Sequence, residues 1–261
     1  MTNLDELIKT VKILRSPEGC EWDRQQTHES IRQNMLEEAY EAVEAIDEKN
    51  IAHLKEELGD VLLQVVLHAQ IGEDNNEFNI QDIAKNLNDK LIHRHPHVFG
   101  EIKTNDTKKI LENWEKLKAK EKKERKNTLD GIPTTLPSLL KALKISKKAV
   151  RAGFEWENYE QLESCFNSEI EEFKNAKTKE EKLEEFGDIL FSLVNIARWN
   201  DIDPDKALEF ANKKFIKRFN KLEELTNKPL NELDFKEYNK LWNKAKKLTN
   251  EEQWENSTKT Q

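Results

Sequence analysis

Eight carboxylates in two matching sets are the residues of this chain best placed to do chemistry. Glu38 and Glu41 lie in "EEAYE" (37–41), and Glu57 and Asp60 in "ELGDVL" (57–62). Glu169 and Glu172 lie in "SEIEE" (168–172), and Glu185 and Asp188 in "EFGDIL" (185–190). Members of each pair are three residues apart, so on a helix they share a face. An E-E-x-x-E motif alone says little. Acidic residues number 51 of 261, and such a chain produces the motif by chance about twice. The arrangement says more. A helical hairpin turning near Lys49-Asn50 sets 41 opposite 57 and 38 opposite 60. A turn near Thr178 sets 172 opposite 185 and 169 opposite 188. Each Asp is followed by an apolar run, "VLLQVVLHA" or "ILFSLVNIA", which predicts buried helices, including burial at a subunit interface. Carboxylates entering such a bundle repel one another and lose hydration unless a cation joins them. Oxygen ligands without Cys or nearby His suit a hard ion, Mg2+, with Mn2+ as a substitute. Di-iron chemistry is disfavoured because the chain has no Glu-x-x-His. Gly59 and Gly187 fit either close helix approach beside the metal or ordinary packing.

Cations and tryptophans recur around these sets. Lys90 and Arg94 are four apart, as are Lys214 and Arg218; Trp114 and Lys118 repeat the spacing, as do Trp242 and Lys246. Singly, each pair is a surface cation beside a core residue. Beside four carboxylates and a divalent ion, they form a clamp for a polyphosphate, with the tryptophan either stacking on a base or packing. The "HRHPHVF" stretch (93–99) offers His-x-His-x-His, but Pro96 interrupts it and no cysteine accompanies it. A structural loop role is the expectation, not zinc.

The elements that must position these groups are helices. Charged and hydrophobic residues each make up 36% of the chain, with only seven glycines and six prolines. That balance favours long amphipathic helices, and the fold class expected is all-α. Five segments recur in order, each between 124 and 134 residues later: "GCEWD" as "GFEWE", "EEAYE" as "SEIEE", "ELGDVL" as "EFGDIL", "KLIHR" as "KFIKR" and "WEKLK" as "WNKAK". The expectation is an internal duplication: two four-helix-bundle-like domains, 1–120 and 139–250, a linker at 121–138 and a polar tail at 251–261. The net charge of −8 argues against nucleic-acid binding. No apolar run reaches about 18 residues, so no membrane span is expected. Cys20 and Cys165 lack metal spacing and fit free thiols in a reducing compartment. A cytoplasmic protein is the expectation.

The segments "CEWDRQQTHESI", "LEEAYEAVEAI", "EELGDVLLQVVLHAQI" and "DKLIHRHPHVF" resemble the N-terminal half of MazG-type nucleoside triphosphate pyrophosphohydrolases. "GFEWEN", "EEFGDILFSLVNIARW" and "NKKFIKRF" resemble their C-terminal half. The resemblance covers nearly the whole chain. It implies an all-α homodimer that hydrolyses a nucleoside triphosphate, with Mg2+, to the monophosphate and pyrophosphate. By position it places metal ligands at Glu169, Glu172, Glu185 and Asp188, and at Glu38, Glu41, Glu57 and Asp60. It places phosphate contacts at Lys214 and Arg218 and nucleotide contacts at Trp242 and Lys246. Lys90, Arg94, Trp114 and Lys118 are their counterparts in the first copy. The mechanism implied is attack of an activated water on the α-phosphorus. One of the catalytic candidates, Glu38, Glu41, Glu169 or Glu172, orients or deprotonates that water. The chain departs from the pattern at Ser168, where the first copy has Glu37. Two other readings remain: a non-catalytic nucleotide- or partner-binding helical module, and a related hydrolase for dUTP, phosphoribosyl-ATP or an alarmone.

Overall fold

The computed structural model describes residues 2–100, 103–121 and 127–258. Part of the expected linker, 122–126, and the last residues of the expected tail, 259–261, lie outside the described residues. Every regular element among the described residues is helical. The chain divides into two compact units, Met1–Lys123 and Glu124–Gln261.

The first unit begins with α1 (Asn3–Leu14), opened by a capping box in which Thr2 and Asp5 satisfy each other's backbone amides. A short helix, α2 (Glu21–Gln25), begins within the "GCEWD" stretch. Then come α3 (Arg32–Asp47) and α4 (Ile51–Asp74), joined by a three-residue turn. Lys49 takes a left-handed conformation there (φ 56°), and Asn50 caps α4 by accepting from the His53 amide. Helix α5 (Ile80–Arg94) starts at a second capping box, Asn79 with Asp82. Pro96 then opens a one-turn helix, α6 (Pro96–Phe99). Helix α7 (Thr107–Glu121) closes the unit and packs on α5. Val11, Ile31, Val66, Leu67 and Ile71 form a core beneath α1 and α4. Arg15, nearly buried, ties this end together through Asp74 and the carbonyl of Gln26.

The second unit repeats the hairpin. Helix α8 (Ser138–Arg151) packs on α10 (Lys179–Trp199), and α9 (Tyr159–Asn175) pairs with α10 across the turn at 176–178. Thr178 and Glu181 cap α10. Helices α11 (Pro204–Glu224) and α12 (Phe235–Thr258) pack together. Helix α12 continues past residue 250, so much of the expected tail is helical. Beneath α8 and α10 the core is partly polar: Arg198 donates to Ser146 and pairs with Glu155, while Ser146 donates to Asn195. Residues 127–137, within the expected linker, are held on α8. Lys148 donates to the carbonyls of Thr128 and Asp130, and Lys141 to that of Thr134.

The apolar runs after Asp60 and Asp188 are not buried all round. Val66, Leu67 and Val194 are sealed, but Leu62, Leu190 and Leu193 are exposed in the single chain, as are Leu58 and Phe186 just before the aspartates. Leu36, Tyr40, Val43 and Ile46 extend the exposed apolar surface along α3.

Candidate functional site

The α3–α4 hairpin brings the first carboxylate set together across the turn. Glu38, Glu41 and Glu57 each place an oxygen within 4.8 Å of the others. The α9–α10 hairpin does the same with Glu169, Glu172 and Glu185. Asp60 and Asp188 stand outside these trios but close enough for their charge to act on them. The pairings follow the hairpin symmetry: Asp60 acts on Glu38, Glu41 on Glu57, Asp188 on Glu169 and Glu172 on Glu185.

Crowding and burial raise the proton affinity of these groups. Loss of hydration is the largest cause for Glu38, Glu57, Glu169 and Glu185, and repulsion from neighbouring carboxylates adds to it. Glu57 is the most enclosed, with 6% of its surface exposed. Its Oε1 lies 3.0 Å from His53 Nε2, while Oε2 is buried without a hydrogen-bond partner. A crowded carboxylate trio in which one glutamate keeps a buried oxygen without a hydrogen-bond partner fits a hard divalent cation. The donor set is all oxygen, which suits Mg2+ or Mn2+ better than zinc or iron.

The two sites differ in their supports. In the second unit Ser168 donates to Glu172 Oε1 at 2.8 Å. The residue that departs from the family pattern therefore contacts a member of the carboxylate trio. Cys165, a free thiol, lies 3.8 Å from Glu169. Burial, then the Glu169 charge, pushes that thiol's pKa up, so it is a poor nucleophile. His53 and Ser168 were not among the site residues expected from sequence. Each stands four residues before the carboxylate it contacts, the helical spacing that could have found them.

Gly59 and Gly187 do not mark a close helix contact within the chain. A Cβ at either position meets nothing within 4 Å. Both glycines face outward, on the turns that carry exposed Leu58 and Phe186.

The cations and tryptophans fall on the helices that follow each hairpin. In the first unit Lys90 and Arg94 are on α5, which packs against α4, and Trp114 and Lys118 are on α7. Arg94 lies over the Trp114 ring, 5.5 Å from its centre, and the His95 ring meets it edge-on at 4.8 Å. The "HPHVF" stretch thus packs on Trp114 through His95. In the second unit Lys214 and Arg218 are on α11, and Trp242 and Lys246 on α12. Trp242 packs on Phe215 at 5.3 Å, and Lys214 lies over Phe210. Arg218 donates to Asn250, but its Nε is buried without a partner. Neither Lys214 nor Arg218 is hydrogen-bonded or ion-paired to the carboxylates among the described residues.

The sequence has clear relatives. Residues 26–99 match the family described as the MazG nucleotide pyrophosphohydrolase domain. The "nucleoside triphosphate pyrophosphohydrolase/pyrophosphatase MazG" of Thermotoga maritima is 48% identical over 246 residues, 93% of this chain and 95% of its own. The chain belongs to the MazG family. A second MazG-family relative, the "nucleoside triphosphate pyrophosphohydrolase" of Escherichia coli K12, is 38% identical over 86% of this chain and 89% of its own. The "uncharacterized protein YabN" of Bacillus subtilis is 46% identical over 90% of this chain and half of its own length. The matched 26–99 segment carries the first carboxylate set and Lys90 and Arg94 of this MazG-family chain. No described helix is long and apolar enough to cross a membrane.

Proposed function

We propose that this chain is a nucleoside triphosphate pyrophosphohydrolase with a divalent-cation site in each unit. Water adds to the α-phosphorus, the bond from that phosphorus to the α–β bridging oxygen breaks, and pyrophosphate leaves with the bridging oxygen; one proton is released. The observation that carries this reading is the carboxylate trio closed across each hairpin, in a chain of this family. Glu38, Glu41, Glu57 and Asp60 hold the cation in the first unit, and Glu169, Glu172, Glu185 and Asp188 in the second. Bound there, Mg2+ would polarise the phosphoryl oxygens and lower the pKa of a coordinated water. Lys214 and Arg218 grip the phosphates in the second unit, and the bare Nε of Arg218 supports that role. Lys90 and Arg94 do so in the first. Trp242 with Lys246, and Trp114 with Lys118, border the nucleoside. One glutamate of Glu38, Glu41, Glu169 and Glu172 orients the attacking water. The second unit is a second copy of the same domain, and the protein is cytoplasmic.

Incubating the full chain with each common nucleoside triphosphate and Mg2+ tests the activity. Monophosphate and pyrophosphate in equal amounts are expected from at least one substrate. Binding by calorimetry without turnover across the panel would favour the non-catalytic module instead.

The exposed apolar surface of α3 and α4 supports a homodimer. Gly59, open to solvent beside Leu58, leaves room for a partner helix there. Sedimentation should give twice the chain mass of 30.7 kDa. Leu58→Glu with Leu62→Glu should shift it to one chain mass. A wild-type protein sedimenting as a single chain at micromolar concentration would contradict the dimer.

A further inference from the structure

The two carboxylate sites share a ligand plan but differ in what surrounds it. In the first unit Glu57 is nine-tenths buried, and a histidine one turn earlier on the same helix meets it. His53 Nε2 lies 3.0 Å from Glu57 Oε1. His53 Nδ1 is 3.9 Å from Glu48, the residue that ends α3. The imidazole thus stands between the hairpin turn and the carboxylate trio. It engages one oxygen of Glu57 and leaves the other, Oε2, buried and bare. A rotation of the Glu57 side chain would break the 3.0 Å contact, so the contact favours the rotamer in which Oε2 is buried without a hydrogen-bond partner.

Among the described residues, the second unit has no such device. The position matching His53, four residues before Glu185, is Glu181. Its carboxylate turns back to accept from the amides of Lys177 and Thr178 and so caps α10. No hydrogen bond to the Glu185 side chain is present among the described residues. The second unit instead steadies Glu172, through Ser168. Different members of the trio are fixed in the two copies.

We infer that His53 is a positioning residue that holds Glu57 in its cation-binding orientation, giving the first unit's metal site a support that the second unit's site lacks. The inference rests on the reading of the first carboxylate set as a cation site. The imidazole acts through the 3.0 Å approach of its Nε2 to Glu57 Oε1. Partners of this kind outside the ligand set orient a metal ligand, and losing one costs about 10- to 100-fold in metal affinity.

Mn2+ alone, counted by electron paramagnetic resonance on the full-length chain, tests this. In a Glu172→Gln background, which disables the second site, His53→Ala should weaken the remaining Mn2+ affinity by about 10- to 100-fold. His53→Gln, whose amide can donate to Glu57, should recover most of the loss. In a Glu41→Gln background, which disables the first site, His53→Ala should leave Mn2+ binding unchanged. Circular dichroism and the melting midpoint establish that each variant is folded. A folded His53→Ala variant that binds Mn2+ as tightly as its parent would overturn the inference and leave the cation-site reading standing. If the Glu172→Gln parent bound no Mn2+, the cation-site reading of the first unit would fall, and this inference with it. Equal weakening in both backgrounds would also overturn it, because a local positioning role cannot reach the second site.

Discussion

Replacing Glu41 and Glu172 together by glutamine is expected to abolish Mg2+-dependent release of pyrophosphate. Each residue sits in the trio of one hairpin, and each faces the glutamate at the matching register of the next helix. Glutamine keeps the size of the side chain but removes its charge, so it cannot hold a divalent ion against water. Removing one preorganised electrostatic group from a reaction of this kind costs about 10²–10³-fold in rate. The loss should be at least that large, because the same group serves both metal and substrate. The single variants divide the work. If only the second unit turns over, Glu172→Gln alone reproduces the loss and Glu41→Gln leaves the rate within about twofold. If both units turn over, each single variant retains a fraction of the rate. Both are read from pyrophosphate release at saturating substrate, with circular dichroism confirming that helices persist. Full activity in the folded double variant would contradict the proposed mechanism.

The second large effect concerns stability. Glu38, Glu57, Glu169 and Glu185 all hold their protons more tightly in the folded chain than an ordinary glutamate does, because of burial first and carboxylate repulsion second. Between the ordinary glutamate pKa and the raised folded values, the native chain binds more protons than the unfolded chain. Stability therefore falls as pH rises through that interval. This is opposite in sign to the usual salt-bridged carboxylate. Without metal, the melting midpoint should be higher at the lower end of that interval than at pH 7–8. Acid unfolding from other groups limits the gain below it.

Mg2+ or Mn2+ at pH 7–8 should reverse the loss. A cation present at about 100 times its dissociation constant should raise the midpoint by about 5–10 °C per site. The effect should shrink as pH falls, because the proton and the metal compete for the same oxygens. Glu57→Gln should raise the metal-free midpoint, since it removes a buried charge, and should abolish the first site's share of the metal effect. Thermal melts with and without EDTA at several pH values read both trends. A metal-free midpoint that rose with pH across the interval would contradict the raised carboxyl pKa values.

Much of the site is legible in one dimension for a physical reason. Glu38 with Glu41, and Glu57 with Asp60, depend only on helical spacing. Their meeting depends on a short turn, and Lys49-Asn50 announces it. Asn50 caps α4, and Lys49 takes the left-handed conformation that reverses the chain. The same holds at Thr178, whose capping box with Glu181 starts α10. Contacts across one tight turn follow from register, so the sequence alone determined the helices, the hairpins and the four carboxylates at each; only the structure set Asp60 and Asp188 outside the close trios.

What the sequence left open required side chains to choose among neighbours in space. It offered His53 as one more polar residue on α4; only packing placed its Nε2 against Glu57 and left Oε2 bare. It marked Ser168 as a departure, and the folded helix turned that hydroxyl onto Glu172. Gly59 and Gly187 read equally well as close-approach sites, yet both open onto solvent. The apolar runs read as buried, including at a subunit interface; only the structure showed which of their residues, Leu62 and Leu190 among them, stay exposed in the single chain. Periodicity determines which residues share a helix face. Which faces are covered, and which rotamer a crowded carboxylate adopts, is decided by the packing of elements distant in sequence, a balance of burial and repulsion that exists only once the tertiary structure has formed.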